Sequence, residues 1–182
     1  MEKPKLSLDN DYYYNSIVDA ISIISSSSRW EEEQHMLLDI FKKTNQSLES
    51  KILDFGCGIG RNSIYLKQNG FNNIEGIDQS ETGINFAKEI NGSIPFYTWN
   101  EWIPQKYDII VSMYVIQHNS NVEEITDFLI SCLNEAGKLV IIEQDHVFES
   151  IQSKFSSFED FTSIYQNQYD FLNGHKIGIF SI

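Results

Sequence analysis

Three glycines at alternate positions, Gly56, Gly58 and Gly60, are the residues of this chain whose spacing points most directly to chemistry. Glycine has no Cβ, so the backbone can turn sharply at these positions and come close to a ligand. Asp54 lies two residues before the first glycine and supplies an acceptor for a hydroxyl or ammonium group. A helix is expected to follow, and its first N–H groups would face the same ligand. The spacing therefore predicts a loop that binds a nucleotide-like cofactor.

Two other glycine-rich loops fit these residues less well. The dinucleotide fingerprint G-x-G-x-x-G, counted from Gly56, needs its third glycine at position 61, where the chain has Arg61. The phosphate loop G-x-x-x-x-G-K-[ST] fails because neither Lys-Ser nor Lys-Thr follows the glycines. A nicotinamide oxidoreductase is therefore only a distant alternative.

A second carboxylate stands where a nucleoside would need one. Asp78 ends a predicted strand 24 residues after Asp54, and its two oxygens can accept the two hydroxyls of a ribose. Ligands of open α/β sheets bind outside the carboxyl ends of the strands. We expect the residues that end predicted strands to converge there, namely Asp54, Asp78, Asn100, Met113 and Glu143.

Strands and helices alternate from position 51 onward, which predicts an α/β fold with parallel strands and crossover helices. The predicted strands cover 51–55, 74–77, 95–98, 107–112 and 138–143, and the helices between them cover 61–69, a segment after Ser80, and 122–133. Helical spacing also predicts helices over 9–24 and from about Ser28. Near the carboxyl end we predict a helix over 158–168 and two strands, 169–172 and 176–182, that flank the turn Asn173-Gly174.

Composition limits the class of protein. The chain has 182 residues, of which 41% are hydrophobic, enough for one domain with a sizeable core. Its net charge of −13 repels phosphate groups, so we expect neither a nucleic acid nor an anionic membrane as partner. A mean hydropathy of −0.29 and the absence of a long apolar run predict no transmembrane helix.

The cysteines and the amino terminus indicate a compartment. Cys57 and Cys132 fall on different predicted elements, so we expect reduced thiols in a cytoplasmic protein. The first residues lack the apolar stretch of a secretory signal. The cysteines and histidines do not have the spacing of a zinc site, and we expect no metal.

The segment Lys51–Arg61 resembles motif I of the class I S-adenosylmethionine-dependent methyltransferases, and residues 50–143 resemble that family's core as a set. The resemblance implies a Rossmann-like three-layer α/β/α sandwich with a mostly parallel sheet. It also implies an antiparallel carboxyl-terminal edge, and a short or truncated edge remains open for this chain. The implied single domain, 1–182, comprises a helical lid (1–48), a cofactor-binding core (50–143), and a carboxyl-terminal helix with edge strands (144–182).

The resemblance also assigns roles to individual residues. It implies that S-adenosylmethionine, and the product S-adenosylhomocysteine, would be held by Asp54, Gly56, Cys57, Gly58, Gly60, Asp78, Gln79, Asn100, Glu101 and Met113. Gln79 would lie along the adenine, and Met113 would pack beside the sulfonium. Asn100 departs from the family, which often has an acid at this position. In small-molecule members the helices before the first strand close over the donor, which implies a lid that includes Tyr13, Tyr14 and Trp30.

The expected activity is methyl transfer to a small-molecule acceptor by in-line displacement. In such a reaction the protein mainly supplies proximity, orientation and exclusion of water. A base is needed only if the acceptor loses a proton, and His118 and His146 are the candidates, with Asp145 beside His146. The alternative is a non-catalytic methyltransferase-like module that only binds S-adenosylmethionine or S-adenosylhomocysteine. The sequence predicts neither the accepting atom nor the oligomeric state.

Overall fold

The structure, a computed structural model, describes residues 2–6, 28–169 and 172–182. The described chain divides into two compact units. The amino-terminal unit comprises 28–102, and the carboxyl-terminal unit comprises 2–6, 103–169 and 172–182. The predicted helix over 9–24 and the predicted lid residues Tyr13 and Tyr14 lie outside the described residues.

The amino-terminal unit alternates helices with parallel strands. Its elements are α1 (Ser28–Lys43), β1 (Ile52–Phe55), α2 (Arg61–Gln68), β2 (Ile74–Asp78), α3 (Glu81–Ile90) and β3 (Phe96–Thr98). The strand order is β3-β2-β1, and both pairs are parallel. The register places Asp54 opposite Gly76, and Asp78 opposite Thr98. The carboxyl ends of β1 and β2 therefore lie side by side, as the sequence predicted.

Local sequence explains where the helices of this unit begin and end. The Ser80 hydroxyl accepts the Gly83 N–H at 3.0 Å, so Ser80 is the N-cap of α3, as predicted. The backbone of Gly70 has φ +98°, a left-handed conformation that favours glycine and ends α2 where the sequence predicted. All four residues of β1 are buried, as expected for the apolar Ile52, Leu53 and Phe55, and Asp54 is buried with them.

The carboxyl-terminal unit holds four strands and three α-helices among its described residues. They are β4 (Tyr107–Met113), α4 (Val122–Ser131), β5 (Leu133–Gln144), α5 (Asp145–Gln152), β6 (Ser157–Asp160), α6 (Thr162–Tyr165) and β7 (His175–Ser181). A 3₁₀ turn covers Ile116–His118. The strand order is β4-β5-β7-β6; β4 and β5 are parallel, whereas β7 is antiparallel to both of its neighbours. The predicted α/β class, mostly parallel with an antiparallel carboxyl-terminal edge, is confirmed.

The prediction of one helix over 158–168 was wrong. Residues Ser157–Asp160 form β6, which pairs with β7, and only Thr162–Tyr165 is helical. The ring of Phe158 stacks on Phe180 at 5.8 Å between centroids, so a contact distant in sequence decides the conformation. The turn at Gly174 is confirmed by its φ of +75°, and β7 pairs with β5 and β6. The predicted strand 169–172 includes residues 170 and 171, which lie outside the described residues.

Strand β5 is also longer than predicted. It begins at Leu133, not at Lys138, because Leu133 pairs with Tyr107 before a shift in register, and pairing resumes between Lys138 and Ile109. The predicted helix over 122–133 ends accordingly at Ser131. None of the helices in the described part of the chain is long and apolar enough to cross a bilayer.

Candidate functional site

The glycine loop after β1 has the conformation that its sequence predicts. The φ angles of Gly56, Gly58 and Gly60 are +74°, +57° and +76°, in the left-handed region that favours glycine. The N–H groups of Gly56 and Cys57 both donate to the Ile77 carbonyl, at 2.8 and 2.9 Å. The loop is therefore fixed to the end of β2 by its own backbone.

The Asp78 carboxylate connects the loop to the next helix. Its Oδ2 accepts the Gly58 N–H and its Oδ1 accepts the Ser80 N–H, both at 2.8 Å. Burial raises the pKa of Asp78, and these backbone hydrogen bonds act in the opposite direction. The side chain is half-buried, and each carboxylate oxygen can accept more than one hydrogen bond. Asp78 can therefore hold the loop and still accept a ligand hydroxyl.

Asp54 has a more internal position than the sequence suggested. Its side chain is only 3% exposed, and its Oδ2 accepts both the hydroxyl and the N–H of Ser63, at 2.6 and 3.1 Å. Ser63 is the third residue of α2, and Gly60, the cap residue, has no side chain to accept that N–H. Asp54 therefore caps α2 from the preceding strand. Burial raises its pKa to about 6, although the hydrogen bonds from Ser63 oppose the rise.

Packing explains why position 60 is glycine. A Cβ at Gly60 would lie 2.5 Å from Cζ of Phe96, a buried ring. Cys57 packs against the cluster that contains Phe96, and burial raises the pKa of its thiol well above the ordinary value. Cys57 can therefore contribute to a cofactor site through its backbone groups, because its thiol is neutral and packs in the core.

The turn after β3 contains the predicted adenine residues. The Thr98 N–H donates to the Glu101 carboxylate at 3.1 Å, and the Glu101 N–H donates to the Thr98 hydroxyl at 3.3 Å. Hydrogen bonding from the backbone and the side chain of Thr98 to the carboxylate holds the pKa of the exposed Glu101 below its ordinary value, and the charge of Lys88 adds to the effect. Asn100 is exposed within the turn, and Gln79, after β2, is half-buried. Glu101 thus stabilises the turn that carries Asn100.

The two tryptophans of this turn belong to the core. Trp99 and Trp102 are 9% and 2% exposed, and their rings stack with centroids 5.7 Å apart. The Trp99 ring also makes an edge contact with Phe55 at 5.9 Å between centroids, and the Trp99 backbone N–H donates to the Asp78 carbonyl at 2.7 Å. They anchor the turn to the ends of β1 and β2.

Helix α1 contacts the residue that follows the loop. The guanidinium carbon of Arg61 lies 2.9 Å from the ring centroid of Trp30, a cation–π arrangement. The Gln34 side-chain amide donates to the Arg61 carbonyl at 3.0 Å. Of the three predicted lid residues, Trp30 is the one that the structure describes, and it lies beside the start of α2.

In the carboxyl-terminal unit, the residues after β4 form a second cluster. Met113 ends β4 and is half-buried. Tyr114 follows with φ +59°, which is uncommon for a residue with a side chain. The Tyr114 ring meets the edge of the His175 ring at 5.0 Å. His175 was not predicted as a site residue; the only sequence signal was its position directly after the Asn173-Gly174 turn.

The two predicted base candidates differ in their surroundings. His118 is half-buried, and its pKa is lowered by burial and, to a smaller extent, by the charge of His175. His118 Nε2 lies 3.5 Å from Nε2 of Gln117. His146 and Asp145 are both exposed at the start of α5. His118 is therefore half-buried beside Gln117, whereas His146 lies at the surface.

Sequence reasoning placed Glu143 at a strand end but did not predict its contacts. It has no exposed surface, and it accepts hydrogen bonds from Ser112, Val115, Ile116 and Gln117. Burial raises its pKa to about 7 against the effect of those bonds. The available signal was an acid directly after the apolar run 139–142, which marks a buried carboxylate. Within the described ranges, no group of three or more His, Cys, Asp or Glu side chains is arranged to hold a metal.

Comparison with known proteins identifies relatives of this chain. The sequence model of the family described as "Methyltransferase domain" matches residues 29–181. The "Putative methyltransferase 235L" of Invertebrate iridescent virus 6 is 26% identical over 184 residues, which cover 93% of this chain and 68% of the viral protein. Phosphoethanolamine N-methyltransferase 3 of Arabidopsis thaliana is 27% identical over 76% of this chain, but the match spans only 32% of the plant protein.

A solved structure supports the fold. The plantazolicin methyltransferase BpumL, in complex with a desmethylPZN analog and SAH, superposes with a TM-score of 0.58 at 21% identity. The match covers 81% of this chain and 60% of BpumL. Together these matches confirm the predicted family resemblance, the predicted enzyme class and S-adenosylmethionine as the cofactor of that class.

Proposed function

Because the chain belongs to the methyltransferase-domain family, we propose that it transfers the methyl group of S-adenosylmethionine to a small-molecule acceptor by in-line displacement. The observation that carries the proposal is the joint geometry of the glycine loop and Asp78. Three left-handed glycines bring the backbone to the end of β2, where the carboxylate that receives the Gly58 N–H still has capacity for a ribose hydroxyl.

The donor site proposed from this geometry is built from the backbone of the glycine loop and four polar side chains. Gly56, Cys57, Gly58 and Gly60 offer main-chain groups, Asp78 accepts from the ribose, and Gln79, Asn100 and Glu101 line the adenine end. Asp54 acts from behind the loop by holding Ser63, so its effect on the donor is through the position of α2. Met113 is proposed to pack beside the sulfonium, as in the family.

The bound donor would supply an activated methyl group on sulfur. The chain then has to orient the acceptor, exclude water and, where needed, hold a proton. His118 is the better placed of the two base candidates, because its lowered pKa keeps the imidazole neutral at neutral pH. A neutral ring nitrogen can take a proton from an acceptor hydroxyl or ammonium group. His146 is exposed and remains the second candidate.

Two observations support a small, non-polymeric acceptor. The net charge of −13 disfavours a nucleic acid. The plant relative carries the name phosphoethanolamine N-methyltransferase, which is a small-molecule activity. The proposed setting is the cytoplasm, since the two described cysteines, Cys57 and Cys132, are free thiols.

Calorimetric titration of the full chain with S-adenosylmethionine, S-adenosylhomocysteine and NAD tests the donor. We expect both sulfur nucleosides to bind and NAD not to bind. Binding of NAD without either sulfur nucleoside would overturn the proposal. Incubation with methyl-labelled donor and the small-molecule fraction of a cell extract then separates catalysis from binding alone. A labelled product is expected, and donor binding without any product would leave a non-catalytic binding module.

Asp78→Ala tests the ribose contact. Loss of hydrogen bonds to a charged group is expected to weaken the binding of S-adenosylmethionine by about 1.5–3 kcal/mol. Glu89→Ala, which removes an exposed acid from α3, is the matched control and should leave the affinity unchanged. Circular dichroism should accompany the titration, because Asp78 also holds the loop through the Gly58 N–H. Unchanged affinity in a folded Asp78→Ala protein would remove Asp78 from the ribose role.

A further inference from the structure

The segment Tyr114–His118, here called the β4 exit segment, has a conformation that needs support. Tyr114 has φ +59°, and a left-handed conformation of a residue with a bulky side chain is strained. The following 3₁₀ turn, Ile116–His118, is only one turn long and has no side-chain cap of its own. Strained backbone persists only where surrounding contacts fix it, and such positions cluster at functional sites.

Glu143 supplies that support from the neighbouring strand β5. Its Oε1 accepts the N–H groups of Val115 and Ile116 at 3.0 and 2.9 Å, and its Oε2 accepts the Gln117 N–H at 3.0 Å. Three consecutive backbone donors of the exit segment thus meet one carboxylate. The Ser112 hydroxyl donates a fourth hydrogen bond to Oε1, at 3.2 Å. Both oxygens of Glu143 therefore serve the exit segment and the strand before it.

The exit segment in turn places polar side chains of this unit. The Gln117 side-chain oxygen accepts the Gln144 N–H at 3.0 Å, which fixes Gln117 against the end of β5. Gln117 Nε2 lies 3.5 Å from the His118 ring. The Tyr114 and His175 rings contact each other, and the charge of His175 affects His118. The position of His118 therefore depends on a backbone that Glu143 holds.

A buried carboxylate is a costly way to achieve stability alone. Removing a carboxylate from water is unfavourable, and apolar residues of similar volume often stabilise a core at least as well. Glu143 has no exposed surface and lies among the apolar residues of β5. A buried carboxylate at position 143 is explained if it determines the geometry of the exit segment and does not mainly contribute to the free energy of folding.

We propose that Glu143 is a positioning residue for methyl transfer, which holds the β4 exit segment so that Gln117 and His118 keep their places toward the acceptor. This inference rests on the proposed function. Glu143 touches neither donor nor acceptor in this scheme, because its side chain has no exposed surface.

Glu143→Gln and Glu143→Asp separate this role from a structural one. In Glu143→Gln one acceptor oxygen remains, but the new amide nitrogen faces the Gln117 N–H, and two donors repel each other. Glu143→Asp keeps the charge and both acceptor oxygens. Glu149→Gln, an exposed acid on α5, is the matched control. Wild type and the three variants are first compared by circular dichroism, so that the rates refer to folded protein.

The first measurement is the rate of labelled-product formation at saturating S-adenosylmethionine, with the extract fraction as acceptor source. A misplacement of about 1 Å can reduce a rate by on the order of a hundredfold, so we expect Glu143→Gln to lose roughly tenfold to a hundredfold. The donor Kd should stay within about twofold of wild type. Glu143→Asp should retain more of the rate than Glu143→Gln. A rate equal to wild type in folded Glu143→Gln would overturn the inference.

The second measurement does not depend on any acceptor. By NMR, Glu143→Gln should reduce the exchange protection of the Gln117 amide and move the imidazole signals of His118, while the signals of the exposed His146 stay in place. If wild type binds no sulfur nucleoside, the proposed function fails, and the imidazole signals still decide whether Glu143 positions His118. Unchanged His118 signals and Gln117 protection would overturn the positioning role.

Discussion

Asp54 and Glu143 occupy equivalent places in the two units, and each accepts hydrogen bonds from a nearby helical turn. Each is an acid in the last residues of a buried strand, Asp54 in β1 and Glu143 in β5. Each accepts backbone N–H groups of a helical turn, Asp54 that of Ser63 in α2 and Glu143 those of Val115, Ile116 and Gln117 after β4. The difference lies in what surrounds them. Asp54 receives both of its hydrogen bonds from Ser63, whereas Glu143 receives four from four residues.

The two segments are therefore held in place in different ways, one by its own backbone and the other by a side chain. The glycine loop is held mainly by its own backbone, through glycine conformations and the Ile77 carbonyl, and Asp54 only adds a cap to α2. The exit segment has no glycine at its left-handed position, so a single carboxylate has to fix it. Loss of Asp54 should therefore affect stability, and loss of Glu143 should affect stability and geometry together.

The largest effect is expected from pH. Burial raises the pKa of Asp54 from 3.8 to about 6 and that of Glu143 from 4.5 to about 7. Between these values the folded protein binds more protons than the unfolded chain, so the free energy of unfolding should fall as the pH rises. The stabilising contribution is complete below about pH 4 and is lost as the pH passes 6 and 7, by up to about 3 kcal/mol for each carboxyl.

Urea denaturation between pH 4 and pH 8 measures this loss. Glu143→Gln and Asp54→Asn cannot titrate at these positions, so each should flatten the pH dependence relative to wild type. Glu149→Gln, on the exposed face of α5, should follow the wild-type curve. Parallel curves for wild type and both buried variants would contradict the assigned protonation.

The next largest effect is expected at the cap of α2. Asp54→Ala leaves the Ser63 hydroxyl and N–H without their acceptor, which should lower the free energy of unfolding by about 2 kcal/mol. A double-mutant cycle with Ser63→Ala should give a coupling of about 1 kcal/mol or more. Asp127→Ala, whose ion pair with Lys154 is exposed, should cost less than about 1 kcal/mol. Additive effects at positions 54 and 63 would show that the cap does not stabilise α2.

The smallest effect is expected where α1 contacts Arg61, the first residue of α2. Arg61→Ala removes the cation–π contact with Trp30, worth about 1 kcal/mol, but leaves the Gln34 hydrogen bond to the backbone of position 61. Thermal unfolding should show this loss of stability. The tryptophan fluorescence should also change, because the cation leaves the Trp30 ring, and the change can be assigned to Trp30 since Trp99 and Trp102 are buried away from this contact. Lys67→Ala removes a cation from the same helix and should leave the fluorescence unchanged. Fluorescence identical to wild type in Arg61→Ala would argue against the contact.

Much of the fold could be predicted because its signals are local. The strand at 74–78, the Ser80 cap and the end of α2 at Gly70 follow from apolar runs, a hydroxyl at an N-cap and a glycine after a helix. The segment 157–160 could not be predicted, because its strand conformation depends on pairing with β7. Propensity alone favoured a helix there, and the tertiary pairing overrode it.

The candidate site also has features that sequence spacing predicted and features that depend on contacts in space. The glycine loop and Asp78 were predicted because their chemistry depends on spacing along the chain. The role of Asp54 as a cap, and of Glu101 in its own turn, depends on which donors lie nearby in space. The contact between Tyr114 and His175 joins residues far apart in sequence, and no spacing rule connects them.

The sequence by itself determined the conformation of the glycine loop, because only glycine tolerates φ of +74°, +57° and +76° at alternate positions without strain. It also determined that an acid would stand at the end of each of three strands. The tertiary structure alone decided what those acids do, because burial and the donors within about 3 Å determine whether a carboxylate faces a ligand or holds a backbone. Asp78 has a half-buried side chain, which the proposed function assigns to a ligand, whereas Asp54 and Glu143 are buried and each supports a backbone turn in its own unit.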